Sequence, residues 1–421
     1  MLDPLPIVPF TRPACGAVTL PGSKSITNRA LVLAALSDRA VTLGNALFSR
    51  DTWLMVEALR ALGFEVETDE PARRIRIAGR GGEIPAGEAR IDVGNAGTVA
   101  RFLTALVCLR SGGVYHFDGD DAMRRRPIGA LIDALAAQGA KATARVFPFT
   151  LRTAGLPGGD IELDASESSQ LLSALLLVAP RARTPLRVRL KGETVSRPFV
   201  AMTERMLAQF AAGPSEYAIE ADATAASYFL ALPLVAGGHV RLNGLAVDQS
   251  LQGDIEFVNL LRPTGLTVTG TAHGGEARIV PEAPRRGLAA DFNACSDTFL
   301  TLAAIAPLLA GPTRITGIAH TRRQETDRVA GAARELRRLG QEVTEEEDAL
   351  TIVPRPLKSD VEIETYGDHR FAMSFAVLGC HDLLGNGRPW LWIRNPGCCA
   401  KTFPDFFDIL EVVWKNSHLG S

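Results

Sequence analysis

One short pattern of residues returns six times along this chain of 421 residues. Each copy has a small polar head, a helix of small apolar residues and Leu, and then a Gly and a strand of β-branched residues. The heads are GSKSITNR (from Gly22), GNAGTVAR (Gly94), ASESSQ (Ala165), ADATAAS (Ala221), NACSDT (Asn293) and YGDHR (Tyr366). They recur at intervals of about 70 residues, except for one interval that is shorter by roughly 20, and such a period is typical of a structural repeat.

The residues around each head predict the rest of the repeated unit. In the first copy, AVTL precedes the head and AVTLGNAL follows its helix, and both have the β-branched content of strands. DTWLMVEALRALG then predicts an amphipathic helix, and FEVETD with RIRIAG predicts a hairpin. The helix that follows the head is apolar around most of its circumference, so we expect it to be buried, whereas the second helix has a charged outer face.

Six such units predict two domains of three units each, which agrees with the two or three domains that the length suggests. The predicted class is therefore α/β, with two similar domains that each contain three βαβαββ units around buried central helices. A doubly wound parallel sheet is excluded, because it needs more consecutive parallel βαβ patterns and a glycine-rich nucleotide fingerprint.

The polar heads admit two interpretations. A buried helix needs Ser, Thr, Asn or Asp at its start, because its first backbone N–H groups have no partner within the helix. Capping needs only one such residue, however, and the first head carries Lys24, Ser25, Asn28 and Arg29. Helix N-termini also bind anions, and those of repeated units can converge on one cleft. Taken one at a time, most charged residues on helices are simply solvated. Together, the cations beside the heads predict a site for several anionic groups; they are Lys24, Arg29, Arg101, Arg126, Arg328, Arg370 and Lys401.

Composition excludes several other classes of protein. The net charge is −2, so a nucleic-acid-binding surface is not expected. Six cysteines without a CxxC pair argue against a disulfide or zinc framework. The first residues lack the basic start and apolar core of a signal peptide, and the apolar runs fall short of the roughly 18 residues of a membrane span. We therefore expect a cytoplasmic protein with no membrane or nucleic-acid partner.

Seven short blocks, taken together and in order, resemble those of the enolpyruvyl transferase family. They are LPGSKSITNRAL, GNAGT, RPIG, SSQ, ETDR, DHR and AKTFPDF, and they extend from Leu20 to about Phe407. Within that family the chain is similar to the branch that acts on shikimate 3-phosphate. The branch that acts on UDP-N-acetylglucosamine typically has Lys-Asn where Lys24-Ser25 stands, and it has a catalytic cysteine loop without a counterpart here.

The resemblance implies an inside-out α/β barrel of two lobes, with the active site in the cleft between them. We expect the first lobe to comprise residues 21–219, with one shortened unit, and the second to comprise residues 1–20 and 220–421. The implied protein is a monomer.

The implied reaction transfers the enolpyruvyl group of phosphoenolpyruvate to the 5-hydroxyl of shikimate 3-phosphate, with no metal and no cofactor. It needs a proton at the methylene carbon, a base at the attacking hydroxyl and cations at the leaving phosphate. The resemblance implies that Lys24 and Glu325 move protons and that Asp297 is the base. Phosphoenolpyruvate would be bound by Lys24, Gly97, Arg126, Gln170, Arg328, Arg370 and Lys401, and arginine suits this role because its planar fork matches carboxylate and phosphate oxygens. Shikimate 3-phosphate would be bound by Ser25, Arg29, Ser168, Ser169, Gln170, Ser196, Asp297 and Gln324.

Several positions depart from the family pattern, mainly on the acceptor side. Gln324 stands where a basic residue is usual, His320 where asparagine is common, and Phe199 where tyrosine is common. The segment 197–221 is also short by roughly 20 residues, which predicts an abbreviated hairpin. Two alternatives stay open: a related enolpyruvyl transferase with a different hydroxyl acceptor, and a non-catalytic ligand-binding descendant. For Ser168 and Ser169, plain helix capping is also open.

Overall fold

The computed structural model describes residues 1–192, 197–271, 274–280 and 285–419. The strands of this part of the chain are β1 (Leu5–Pro6), β2 (Ala14–Thr19), β3 (Ala40–Gly44), β4 (Val66–Asp69), β5 (Arg74–Ala78), β6 (Glu88–Asp92), β7 (Ser111–Asp118), β8 (Lys141–Ala142), β9 (Phe149–Ala154), β10 (Gly159–Leu163), β11 (Leu186–Leu190), β12 (Glu216–Ala218), β13 (Gly238–Asn243), β14 (Leu266–Thr271), β15 (Gly274–Ile279), β16 (Ala289–Asp291), β17 (Thr313–Thr316), β18 (Glu342–Glu345), β19 (Ala349–Val353), β20 (Val361–Ile363) and β21 (Leu391–Ile393).

The helices of the same part are α1 (Lys24–Leu36), α2 (Arg50–Ala61), α3 (Gly97–Leu106), α4 (Asp121–Arg124), α5 (Gly129–Ala137), α6 (Ser169–Val178), α7 (Arg197–Ala211), α8 (Ala223–Ala236), α9 (Phe257–Leu261), α10 (Phe299–Ile305), α11 (Arg328–Arg338), α12 (His369–Gly379) and α13 (Phe406–Leu419). No helix of the described residues is long and apolar enough to span a bilayer.

The chain divides into two compact units. One unit is the continuous segment 22–220, and the other combines residues 1–21 with residues 221–421. The second unit is discontinuous because β2 forms a parallel pair with β13, opposite Gly238–Asn243. The sequence predicts that the chain changes lobe near Leu20 and near Ile219.

Four sheets share one topology, in which two parallel strands are followed by an antiparallel hairpin. Their strand orders are β12-β3-β5-β4, β6-β7-β9-β8, β14-β15-β13-β2 and β16-β17-β19-β18. This is the arrangement expected from a βαβαββ repeat, because the parallel pair needs a helical crossover whereas the hairpin needs only a turn. The mixed α/β fold with repeated units is thereby confirmed.

The helix that follows each head is buried, as its apolar composition predicts. In α1 every residue from Ile26 to Leu36 is buried, and in α8 every residue from Ala223 to Val235 is buried. Full burial of one Leu or Val side chain contributes about 1.5–3 kcal/mol, so these helices form the centre of each core. Helix α8 ends at Ala236 and is followed by Gly237, whose φ of 74° is a conformation that few other residues adopt.

The third repeat of unit 22–220 is shorter than the others. Helix α7 is joined to β12 by residues 212–215 alone, without the hairpin that occupies this place in the four-stranded sheets. Among the described residues, the sheet of this repeat consists of β10 and β11, paired in parallel from Gly159 opposite Leu186 to Leu163 opposite Leu190. The short interval between the third and fourth heads corresponds to this place.

Candidate active site

The N-termini of three buried helices of unit 22–220 lie close together. The Asn28 side chain on α1 donates to Thr98 Oγ1 on α3 at 2.7 Å, and both residues are buried. Helix α3 in turn packs beside α6, and a Cβ placed on Gly97 would lie 2.7 Å from Gln170 Oε1. The heads that begin these three helices therefore lie close together.

The first turn of α3 has the features of an anion site. Its N-cap residue, Ala96, supplies no side-chain cap, and Gly97 follows directly. A Cβ on Gly97 would lie 2.8 Å from Arg126 Nη2 and 3.1 Å from Arg101 Nη1, so only glycine lets these side chains approach so closely. The Arg126 guanidinium is held by Asn95, whose backbone and side-chain oxygens accept from Nη1 at 3.1 and 3.2 Å. Backbone N–H groups and two arginines thus face the same place, as anion binding requires.

Lys24 begins α1 and is held by a carboxylate that lies outside the predicted site residues. Its Nζ lies 3.2 Å from Asp51 Oδ2, and the Asp51 side chain is only 2% exposed. Asp51 lies in the first turn of α2, behind an N-cap at Ser49. The buried charge of Asp51 orients the Lys24 ammonium. Asp51 lies outside the six heads, and the cap preceding α2 was the only indication of it in the sequence.

Arg29 points into the core of its unit. Its guanidinium donates to Thr203 Oγ1 at 2.8 Å, to the Ser25 carbonyl at 2.9 Å and to Ser173 Oγ at 3.2 Å. It lies between two aromatic rings, 5.1 Å from the centroid of Phe102 and 5.9 Å from that of Phe199. Burial lowers the pKa of Arg29 to about 9, so the group remains charged at neutral pH. These bonds fix the first turn of α1, which includes Ser25.

Three residues predicted to bind the acceptor, Ser168, Ser169 and Gln170, lie at the start of α6. Ser168 is the N-cap of that helix, and its Oγ accepts from the Gln170 backbone N–H at 3.3 Å. Capping thus accounts for one bond of Ser168. Ser169 is the first residue of the helix and is buried, whereas Gln170 is half-buried. Ser196 lies outside the described residues.

The three central helices of the other unit are α8, α10 and α12, and they are joined by buried hydroxyls. Ser227 and Thr301 lie 2.9 Å apart, and Thr301 lies 3.5 Å from Ser374. Helix α10 is preceded by a 3₁₀ turn, Asn293–Thr298, which carries Asp297, and α12 begins after the N-cap Asp368. The heads of these helices are therefore brought to one place, as in the first unit.

Arg328, the first residue of α11, connects the acidic residues at this place. Its Nε donates to Asp368 Oδ2 at 2.7 Å, its Nη2 to Glu325 Oε2 at 2.8 Å and its Nη1 to Asp297 Oδ1 at 3.1 Å. Arg328 is buried, and burial alone would lower its pKa, but the Asp368, Glu325 and Asp297 carboxylates together raise it. A permanently charged arginine thus orients Asp297 and Glu325, the two acids that are predicted to transfer protons.

Two further cations complete the cluster. Arg370 Nη2 donates to Asp297 Oδ2 at 2.6 Å, and Lys401 Nζ lies 3.4 Å from Glu325 Oε1. Each acid is therefore shared between Arg328 and a second cation. An anionic ligand that reaches Arg370 or Lys401 would compete with Asp297 or Glu325 for that positive charge. Such competition leaves a carboxylate better able to accept a proton.

Two of the atypical residues also lie at this cluster. Gln324 Oε1 accepts from Arg328 Nη1, so the glutamine supports the arginine in a way that a cation could not. His320 Nε2 lies 2.9 Å from Ser296 Oγ, and burial lowers the pKa of its imidazole. Within the described residues, no group of three or more His, Cys, Asp and Glu side chains is spaced to hold a metal ion.

Comparison with known proteins identifies the family. The family model of EPSP synthase (3-phosphoshikimate 1-carboxyvinyltransferase) matches residues 11–213 and 211–410. The chain belongs to the EPSP synthase family. A 3-phosphoshikimate 1-carboxyvinyltransferase of Opitutus terrae is 54% identical over 99% of this chain and 98% of that protein. Another, from a Nostoc species, is 41% identical over 96% of this chain and 98% of that protein.

A solved structure agrees at the level of the fold. The EPSP synthase of Acinetobacter baumannii has a TM-score of 0.78 over 98% of both chains, at 22% identity. The predicted family and the predicted enzyme class, a transferase, are thus confirmed.

Proposed function

We propose that this member of the EPSP synthase family transfers the enolpyruvyl group of phosphoenolpyruvate to the 5-hydroxyl of shikimate 3-phosphate and releases phosphate. The observation that carries the proposal is the 54% identity, over 99% of the chain, with a protein named 3-phosphoshikimate 1-carboxyvinyltransferase. The reaction belongs to the shikimate pathway, and its two substrates are anions that suit the cations described above.

The chemistry divides into an addition and an elimination. In the addition, the 5-hydroxyl oxygen bonds to C2 of phosphoenolpyruvate, its proton passes to a base, and a proton is delivered to the methylene carbon C3. In the elimination, the C2–O bond to phosphate breaks and C3 loses a proton, which restores the double bond. The net reaction therefore needs a base, an acid and a cationic site for the leaving phosphate.

The contacts of unit 1–21 with 221–421 support the roles of base and acid. Asp297 is held by Arg328 and Arg370, and we propose that it accepts the hydroxyl proton. Glu325 is held by Arg328 and Lys401, and we propose that it exchanges the proton at C3, together with Lys24. Because Arg328 touches both carboxylates, it keeps the two acids in a fixed geometry, which shortens the search for a reactive arrangement.

We further propose the following binding residues. Phosphoenolpyruvate is bound by Lys24, Gly97, Arg126, Gln170, Arg328, Arg370 and Lys401. Shikimate 3-phosphate is bound by Ser25, Ser168, Ser169, Gln170, Ser196, Asp297 and Gln324. Arg29 belongs to the same set, and its buried bonds suggest that it acts by fixing Ser25. Gly97 supports this assignment, because the side chains of Arg126 and Gln170 leave no room for a Cβ there.

We propose that the enzyme acts as a monomer in the cytoplasm, on these two small molecules alone. Its six cysteines are all free thiols, which is the usual state in a reducing compartment.

Phosphate release tests the proposal directly. The purified protein should release phosphate when it receives both phosphoenolpyruvate and shikimate 3-phosphate, and should release none when either substrate is omitted. Lys24→Met should lower kcat by about 10³-fold or more, because it removes a charge contact and a proton-transfer group. Lys191→Met is the matched control, since Lys191 forms an exposed pair with Glu162 at 2.6 Å and should keep full activity. Binding of phosphoenolpyruvate without turnover would contradict the assigned acceptor.

A further inference from the structure

Asp254 is a buried carboxylate that interacts electrostatically with both members of the Asp297–Arg370 pair. Asp254 belongs to the 3₁₀ turn Gly253–Glu256, which follows β13, and it is only 5% exposed. It lies outside the six polar heads, and neither the proposed base nor the proposed binding residues include it. Any role for Asp254 in ligand binding rests on the proposed role of Arg370, which is to bind phosphoenolpyruvate.

The turn that carries Asp254 is fastened to the start of α8. The Gln252 side chain accepts from the Ala223 backbone N–H at 2.9 Å and donates to the Ala221 carbonyl at 2.8 Å. Next to it, Thr224 Oγ1 donates to Asp254 Oδ2 at 2.7 Å. The other oxygen, Oδ1, is buried and has no hydrogen-bond partner among the described residues. A buried carboxylate with a single donor is costly to ionise, because it loses water without gaining enough hydrogen bonds.

The charged surroundings of Asp254 include the proposed active site. The turn Gly253–Glu256 packs against the turn Asn293–Thr298, which carries Asp297. The titratable groups that interact electrostatically with Asp254 are Asp297 and Cys295 from that turn, Arg370 from α12 and Asp222 from the start of α8, and Glu256 lies on the same turn as Asp254. Burial and then Asp297 raise the pKa of Asp254, while Thr224 and Arg370 oppose them, and the result is a pKa of about 7.

We propose that Asp254 is a positioning residue that acts through Arg370. When Asp254 gains or loses a proton, it changes how strongly the Arg370 guanidinium attracts phosphoenolpyruvate. With Asp254 neutral, Arg370 pairs with Asp297 at 2.6 Å, and Asp368 adds to the negative charge near it. With Asp254 ionised, a further carboxylate attracts the same guanidinium, and an anionic ligand is held less tightly. The reverse is required by linkage: an anion bound at Arg370 favours the protonated form of Asp254. Binding of phosphoenolpyruvate therefore takes up a proton near neutral pH.

A purely structural role for Asp254 is the competing explanation, because its bond to Thr224 also holds the turn on α8. Two substitutions separate the alternatives. Asp254→Asn keeps an oxygen that accepts from Thr224, but it cannot ionise. Thr224→Val keeps the carboxylate and nearly the same volume, but it removes the donor that lowers the pKa of Asp254. The first variant should abolish the linked proton, whereas the second should move the linkage to higher pH.

Titration calorimetry measures the linked proton. Phosphoenolpyruvate is titrated into each protein between pH 6 and 8, in buffers of different ionisation enthalpy and without shikimate 3-phosphate, so that no turnover occurs. The phosphate of phosphoenolpyruvate itself titrates near pH 6, so the contribution of Asp254 is the difference between the wild type and Asp254→Asn at each pH. The wild type should take up a substantial fraction of one extra proton near pH 7.

Steady-state kinetics give a second readout. The KM for phosphoenolpyruvate of the wild type should rise severalfold from pH 6 to pH 8 relative to Asp254→Asn, while kcat changes less. Circular dichroism establishes that both variants are folded. If Asp254→Asn does not fold, the upward shift in Thr224→Val decides the matter alone.

Several results would overturn the inference. Equal proton uptake in the wild type and Asp254→Asn would do so, as would an unshifted profile in Thr224→Val or a failure of the wild type to bind phosphoenolpyruvate. The proposed reaction is tested separately by phosphate release. A protein that takes up the linked proton but releases no phosphate would support the role of Asp254 and contradict the proposed acceptor.

Discussion

At the level of single residues, Arg328 occupies a buried position among several carboxylates. It is buried, and its guanidinium makes bonds to three carboxylates, of which Asp368 is also completely buried. An ion pair in such a place adds little net stability, because removing both charges from water costs about as much as their attraction returns. Its value here is geometric, since one planar group fixes Asp297, Glu325 and Asp368 relative to each other.

Arg328→Lys should therefore be far from conservative. A lysine cannot satisfy three carboxylates in a plane, so buried acids are left without donors. We expect the free energy of unfolding to fall by about 3–5 kcal/mol, measured by urea denaturation, and phosphate release to be lost. Arg394→Lys is the matched control, because Arg394 forms an exposed pair with Glu362 at 2.6 Å and should change stability by less than about 1 kcal/mol. Comparable losses in the two variants would contradict the role given to Arg328.

At the level of elements, the missing hairpin of the third repeat changes the surroundings of β11. In the second repeat, β7 lies between β6 and β9, and its inward residues Tyr115 and Phe117 are buried. In contrast, β11 pairs only with β10 in the described part of the chain, and Leu190 is 45% exposed. The outer face of β11 carries Arg187 and Arg189, and charged edges of this kind discourage pairing with other strands.

Hydrogen exchange should report this difference. Amides of Leu186–Leu190 should exchange about tenfold or more faster than those of β7, because opening an edge strand with incomplete cover disrupts fewer contacts. Mass spectrometry of peptic peptides from both strands in one sample gives an internal comparison. Equal protection of the two strands would show that the outer edge of β11 is covered in solution.

The repeated heads made much of this architecture predictable. A period of about 70 residues with an apolar helix in each copy is enough to predict the six units, their buried helices and the hairpins. The heads also predicted Asp297 and Arg370, because residues that start buried helices of one unit end up near each other, whereas Arg328 was predicted from the ETDR block outside the heads. Asp51 and Asp254 could not be predicted in this way. Each lies in a turn or helix outside the heads and reaches the site only through tertiary packing.

For the molecule as a whole, unit 22–220 is an insertion in the chain of the other unit, between residues 21 and 221. The Ser23 backbone N–H donates to the Glu220 carbonyl at 2.8 Å, so the two ends of that unit are adjacent. Likewise, the Asp222 backbone N–H donates to the Pro21 carbonyl at 2.9 Å. The two segments of the other unit are therefore adjacent at the point where the chain leaves that unit and returns to it. Insertions with adjacent ends are tolerated because the host loses few contacts when they are removed.

Each unit should consequently fold without the other. We expect residues 22–220, expressed alone, to unfold in one cooperative urea transition, because their central helices are already buried within the unit. We expect the same of residues 1–21 joined to residues 221–421 by about two glycines, since β2 then keeps its place beside β13. Residues 221–421 without β2 are the control and should be less stable, because β13 loses a parallel neighbour along Gly238–Asn243. Neither fragment should release phosphate, since Lys24 lies in one and Asp297 in the other. A non-cooperative transition in either fragment would mean that its core depends on the other unit.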